Sequence, residues 1–275
     1  MSPEQIHRTT FKQGSRTYFN SSLFFPKAVR EDVFALYGFV RVADDFVDSV
    51  PQNQEGFYAF KEAYRRAQKQ GPIGDPIIDA FVELDRRKSF DPAWTEAFLH
   101  SMELDLSKKE YNRLEETLEY IYGSAEVIGL FMAKVMNLEP EAFPHAQRLG
   151  RSMQYINFIR DIDEDRTLGR RYLPLEGTDL ESLDREYVES HPDQFKEFLR
   201  HHLDRYRTWQ REAEEGFRYI PRRYLIPIKT ASDMYNWTAR TIEGNPMIVF
   251  QRKVKPAKGR IWATVLANAL GLGPR

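Results

Sequence analysis

The chain has 275 residues, a net charge near −1 and no cysteine. The length allows one large helical domain or two small ones, and the charge balance argues against a general nucleic-acid binder, which carries a basic excess. The lack of cysteine excludes disulfides, thiolate metal sites and a cysteine nucleophile.

The first residues, MSPEQIHRTTFKQGSR, have no apolar core of the secretory-signal kind. No run approaches the ~20 apolar residues of a membrane span. A cytoplasmic location is expected. Pro26 opens a helix that runs to Ser49, and Pro51 closes it. QGPIGDP (70–76) is a turn cluster, and Asp91-Pro92 pairs an N-cap with proline at the first helical position. Apolar-periodic stretches cover about 114–137 and 140–165, and Gly169, Pro174 and Gly177 mark a loop. Helical patterns resume over 179–189, 192–219 and 221–243, and Asn245-Pro246 and Pro256 break the chain before a last segment. No period-2 strand pattern and no internal repeat is present. The expectation is an all-α fold, one domain over 1–275.

Two of these helices carry unusual polar stripes. In VREDVFALYGFVRVADDFVD, Tyr37, Arg41, Asp44 and Asp48 fall on one face, among Phe34, Phe39, Val40, Ala43, Phe46 and Val47. In the second segment Gln154, Asn157, Asp161 and Asp165 line up among Met153, Ile156, Phe158, Ile159 and Ile162. A solvated face predicts mixed signs one turn apart, but here acid stands over acid, at ~0.2–0.5 kcal/mol per pair in an isolated helix. The first pair also lies near a helix C-terminus, where the macrodipole disfavours anions. A bound cation offsets both penalties, and oxygen ligands point to Mg²⁺ or Mn²⁺. Calcium in an EF-hand loop fails: after Asp161, Asp163 and Asp165, the glycine position holds Arg166 and the closing glutamate position holds Tyr172. The six histidines are too scattered for a zinc site. Magnesium held by few protein ligands completes its shell with water and phosphate. Arg16, Arg41, Arg160, Arg166, Arg170 and Arg171 flank the two stripes as phosphate partners.

The segments GSRTYFNSSLFFP (14–26), FALYGFVRVADDFVD (34–48), MELDL (102–106), YIYGSAEVIGLFM (120–132) and QYINFIRDIDEDRTLGRRYLP (154–174) resemble those of the squalene/phytoene synthase family. So does the AxxxYxxxxxxIE pattern at 231–243, and the resemblance runs from about residue 11 to 260. It implies a class I isoprenoid-synthase helical bundle with a central cavity. It also implies Mg²⁺-dependent head-to-head condensation of two prenyl diphosphates. By match, Asp44 and Asp48 are expected as metal ligands on one side, and Asn157, Asp161 and Asp165 on the other. Ser15, Arg16, Thr17, Tyr18, Tyr37, Arg41, Gln154, Asn157 and Arg160 are expected to contact substrate. Tyr37, Arg41, Tyr122 and Arg160 are expected to act in the chemistry. Tyr18, Phe19, Phe24, Phe25, Tyr122, Phe131 and Phe158 are candidates to face a carbocation.

Three departures from the family pattern stand out: Glu126 at a small-residue position, Gly14 at a position that often holds histidine, and Asn245-Pro246 where a substrate-contacting tyrosine is common. Two geranylgeranyl diphosphates giving phytoene is the first functional expectation. Two farnesyl diphosphates giving squalene or dehydrosqualene is the second, with NADPH needed only for squalene. A non-catalytic assembly factor is the third, and it should have lost the carboxylates that this chain keeps. The last segment, KVKPAKGRIWATVLANALGL (253–272), reads either as a helix packed on the domain or as one resting on an anionic bilayer.

Overall fold

The computed structural model describes residues 25–272, and among these there is no strand, only an isolated bridge between Glu110 and Arg171. Helix α1 (Lys27–Asp48) starts after Pro26 and buries Val29, Val33, Leu36, Phe39, Ala43 and Val47. Gln52 ties its far end down, donating to the carbonyls of Val47 (2.7 Å) and Asp105 (2.8 Å). Side-chain caps then set three starts in succession. Asn53 accepts from the Gly56 N–H to open α2 (Gln54–Gln70), Asp75 opens α3 (Pro76–Lys88), and Asp91 opens α4 (Pro92–Ser107).

Helix α5 (Leu114–Ile121) runs into α6 (Val127–Val135) through a π-helical turn, Tyr122–Glu126. A short 3₁₀ turn (Pro140–Ala142) leads into α7 (Phe143–Arg160). The stretch expected as one helix over 140–165 breaks at Asp161 (φ −101°, ψ 17°) before α8 (Ile162–Thr167). After the loop come α9 (Arg185–Ser190), α10 (Pro192–Glu214) with a 3₁₀ turn (Glu215–Tyr219), α11 (Arg222–Gly244), α12 (Ile248–Gln251) and α13 (Lys258–Leu270). The helix expected over 179–189 is thus confined to its second half. Ser182 and Asp184 bond to each other there, the Asp184 N–H donating to the Ser182 hydroxyl, and this local pairing competes with helix.

Helix α7 is the axis of the molecule, with α10, α6 and the π turn packed along it. Gly150 makes the approach possible, because a Cβ there would stand 2.3 Å from the Ala125 carbonyl oxygen. Two apolar clusters flank a central hollow. One centres on Phe39, stacked on Phe81 at 3.9 Å. The other holds Tyr155, Phe158, Phe195, Phe198 and Tyr206.

In the second cluster His202 is fully buried. Its Nδ1 lies 2.5 Å from the Tyr155 hydroxyl and its Nε2 lies 3.2 Å from the Pro174 carbonyl. The carbonyl can only accept, so Nε2 carries the proton of a neutral ring. Burial, then Arg205 and His201, push its pKa down to about 3. The unfolded chain therefore binds a proton that the folded one refuses, and stability falls as pH drops from 6.5 toward 3. Thermal melting across that window should show a shallower acid dependence in His202→Asn than in the parent. Equal slopes would show that this ring contributes nothing to acid sensitivity.

Candidate functional site

The stripe on α1 forms as the spacing predicts. Arg41 reaches one turn down to Asp44 (2.8 Å) and also pairs with Asp45. Asp44 is only a third exposed, and its pKa is pushed up to about 7, by desolvation first and then by Asp48, against the pull of Arg41. Burial likewise raises Tyr37, one turn before Arg41.

The stripe on α7 continues across the break into α8. Arg160 clasps Asp161 with Nε (2.8 Å) and Nη2 (2.5 Å), and Lys253 approaches Asp161 at 3.3 Å and also pairs with Glu164. Asp165 is pushed up to about 8, by burial first and then by Asp161 and Glu164, against Arg170 and Lys253. Asn157 Oδ1, one turn before Asp161, is buried without a hydrogen-bond partner.

Arg170 joins the two stripes. Its guanidinium donates to Asp48 (3.0 Å) and to the Val47 carbonyl (2.8 Å), while its own backbone N–H donates to the Asp165 carbonyl (2.8 Å). Behind it lies Asp105, buried, which accepts from the hydroxyls of Tyr120 (2.6 Å) and Tyr172 (2.7 Å). Asp105 is held above the usual carboxylate range, chiefly by burial. The acids of the two helices are therefore neighbours, braced from behind by a satisfied polar network.

Beside them opens a cavity of about 390 Å³. Tyr37, Gln154 and Asn157 stand in its wall together, so both stripes share it. On α7 its lining runs from Asn157 back to His145, twelve residues or about 18 Å at 1.5 Å per residue. Apart from a few polar groups the walls are apolar, with Val33, Leu36, Ile128, Met132, Met136 and Ile228 among them. The 3₁₀ turn after α10 closes against His145 through Gly216, where a Cβ would lie 2.2 Å from the His145 Cβ.

Among the described residues no three acidic or histidine side chains stand ready as a complete metal cage. The donor set still fits a hard divalent cation. Each side offers one carboxylate whose proton affinity is raised, Asp44 and Asp165, Asn157 offers a bare amide oxygen, and phosphate oxygens of a substrate would complete the shell.

The structure therefore brings together Tyr37, Arg41, Asp44, Asp48, Gln154, Asn157, Arg160, Asp161 and Asp165. Ser15, Arg16, Thr17 and Tyr18 lie outside the described residues, as do Gly14, Phe19 and Phe24. Tyr122 packs against the Phe39 cluster and is not among the cavity-lining residues. Phe131 and Phe158 are core residues, Phe158 being stacked on Tyr172 at 4.3 Å, whereas Phe25 does line the cavity. Of the arginines grouped as phosphate partners, Arg171 instead holds Glu110, Asn112 and two backbone carbonyls, and Arg166 pairs with Asp163 and Asp184 on the surface. Glu126 neither lines the cavity nor faces water. It is fully buried, paired with Arg151 and bonded by Gln147 (2.6 Å). Sequence reasoning missed Asp105 as the brace of Arg170, although an acid inside the apolar run MELDL was a signal. It also missed His145, Met132 and Met136 as cavity walls, and nothing in their spacing separates them from core.

The squalene/phytoene synthase family model matches residues 11–260. The 15-cis-phytoene synthase of Paracoccus sp. is 26% identical, over 90% of this chain and 84% of its own. That of Synechococcus elongatus is 27% identical, over 87% and 83%. Among solved structures, a dehydrosqualene synthase in complex with ligand superposes with TM-score 0.84 at 20% identity, over 98% of this chain and 96% of its own. The squalene synthase HpnC of Alicyclobacillus acidocaldarius gives 0.79 at 21%, over 88% and 93%. The helical bundle is thus the isoprenoid-synthase fold, and the chain belongs to the squalene/phytoene synthase family, a prenyltransferase of the kind that condenses prenyl diphosphates head to head.

Proposed function

We propose that the chain joins two geranylgeranyl diphosphates, through a cyclopropylcarbinyl diphosphate, to phytoene. The observation that carries this reading is the apolar cavity opening beside two neighbouring acid rows. The polyprenyl tails lie along the apolar walls, and the diphosphates sit at the end marked by Tyr37, Gln154 and Asn157. Asp44 and Asp48 on one side, with Asn157, Asp161 and Asp165 on the other, would hold Mg²⁺, or Mn²⁺. When bound, the ion supplies Lewis-acid stabilisation of the departing diphosphate.

Arg41 and Arg160 serve the same end. Each is poised on an aspartate, and each adds fork-shaped donors for phosphate oxygens. The first allylic C–O bond breaks and its electron pair leaves with the diphosphate. The double bond of the second substrate attacks the cation, and proton loss closes the cyclopropane. The second diphosphate then leaves, the skeleton rearranges, and a final proton loss gives the conjugated C40 triene. Walls of Leu, Ile, Val and Met keep water from the cation. The single-domain reading is supported by the same cavity, which takes walls from α1 and α6 and from α7 and α11.

The C20 substrate is supported by the curated relatives named phytoene synthases. The structural neighbours, a squalene synthase and a dehydrosqualene synthase, favour a second reading, two C15 farnesyl diphosphates, with NADPH required only if squalene forms. A non-catalytic role is opposed by the complete set of acids. The test is incubation of the full chain with Mg²⁺ and either C15 or C20 diphosphate, with and without NADPH, followed by product mass and ultraviolet spectrum. A conjugated C40 triene is expected. A C30 product replaces the first reading by the second, and no diphosphate release from either substrate overturns both.

A further inference from the structure

Helix α13 is amphipathic the wrong way round for a helix that only packs on its own protein. Asn268 is its buried residue, donating to Thr230 (3.2 Å) and Asp233 (2.8 Å) of α11. Its outward face carries Trp262 (63% exposed), Leu266 (61%) and Leu270 (61%), one turn apart in register, and Leu272 (75%) follows. Large apolar side chains that line up in water mark a contact surface. From Gly244 to Arg275 the chain carries six Lys and Arg and no Asp or Glu. Lys255, Lys258 and Arg260 are exposed at one end of the stripe. At the other end, Arg222 of α11 is exposed and donates to the Ala269 carbonyl (2.8 Å).

We infer that this face rests on an anionic lipid bilayer. Tryptophan and leucine enter the headgroup boundary, and the cations on both sides meet lipid phosphate. The charge pattern opposes a second copy as the occupant. A two-fold dimer would set the same face against itself, cation against cation. The placement also fits the reaction. Helix α11 holds α13 through Thr230 and Asp233, and it lines the cavity with Pro227, Ile228, Ala231 and Tyr235. One helix separates the lipid-facing stripe from the site. That consequence, a short way out for an apolar product, rests on the proposed function, but the lipid contact does not.

The test is co-sedimentation of the full chain with phosphatidylglycerol-rich vesicles and with pure phosphatidylcholine vesicles. The triple variant Trp262→Ser, Leu266→Ser, Leu270→Ser is measured beside the parent, with melting to verify folding and turnover of detergent-solubilised substrate as a separate readout. The parent should bind the anionic vesicles and lose them at high salt. The triple variant should bind at least about tenfold more weakly while melting and turning over like the parent. Lys255→Glu with Lys258→Glu should remove the preference for anionic lipid. Binding by a folded triple variant equal to that of the parent overturns the inference, as does a parent that ignores anionic vesicles. A parent dimer that the triple variant turns into monomer, with neither binding lipid, assigns the face to a second copy and also overturns it. Loss of turnover in detergent by the parent itself would fault the proposed function and leave the lipid contact standing.

Discussion

Asp161→Asn is expected to lower turnover about a thousandfold or more while leaving the melting temperature nearly unchanged. The aspartate sits at the break between α7 and α8, held by Arg160 and Lys253. Asparagine keeps its shape and still accepts a hydrogen bond from either cation, so the local fold has no reason to move. What it loses is the negative charge that a divalent ion and its diphosphate partner require. Activity alone does not separate a ligand from a bystander, so two further readings matter. Pyrophosphate with Mg²⁺ should raise the melting temperature of the parent and not that of the variant. Asp163→Asn, two residues on and paired with Arg166 at 3.3 Å, should behave like the parent in both assays. Equal loss in both variants would mean that the acid run acts only by its total charge, and the assignment of Asp161 as a ligand would fall.

The second large effect concerns stability. Glu126→Ala should cost about 3 kcal/mol, because it strands the Arg151 guanidinium, 17% exposed, and leaves the Gln147 amide without its acceptor. The partial exposure of Arg151 keeps the figure at the low end of the range for a broken buried pair. In a chain of this size that is a melting temperature lower by about 6–12 °C. Glu126→Leu with Arg151→Met should recover much of the loss, since removing both partners leaves no buried charge to desolvate. Strict additivity of the two single changes in a double-mutant cycle would show that the pair is not coupled.

The helices at the start of the fold were readable because their ends are chemical. Asp91-Pro92 reads as a helix start, and Asp91 caps α4; Asp75 precedes proline too and caps α3, within a stretch that reads only as a turn cluster. The two acid rows were readable because a repeat of like charge on one helix face has a cost that nearby cations must offset, and here arginines, a lysine and room for a metal ion stand around it. Tertiary choices were not readable. Phe25, just ahead of α1, lines the cavity while Phe131 and Phe158 fill the core, and nothing in their apolar sequence neighbourhoods tells the three apart. Asp105 and Glu126 look alike in sequence, acids set between apolar neighbours, yet one braces the site through tyrosine hydroxyls and the other neutralises a buried arginine. Each partner lies at least fifteen residues away, beyond the reach of any local pattern. The helix expected over 179–189 was shortened by Ser182 and Asp184, whose mutual bonding outweighs the apolar spacing of Leu180 and Leu183.

The π turn at Tyr122–Glu126 carries a consequence for how this chain tolerates change in length. Such a turn stores one extra residue relative to regular helix. Deleting one residue of the turn would let the segment wind as regular helix with its two flanks still in phase, whereas a deletion inside α5 or α6, where no surplus is stored, would rotate everything on one side of the cut by about 100° about the axis. Tyr120, ahead of the turn, delivers its hydroxyl to Asp105, and Glu126, at its end, delivers its carboxylate to Arg151. After a deletion at Ser124, within the turn, both deliveries could be kept. The surplus residue works as slack let into one shaft: the five-residue turn can give it up in phase, as the loop at 137–139 can be shortened, and the regular helices on either side cannot.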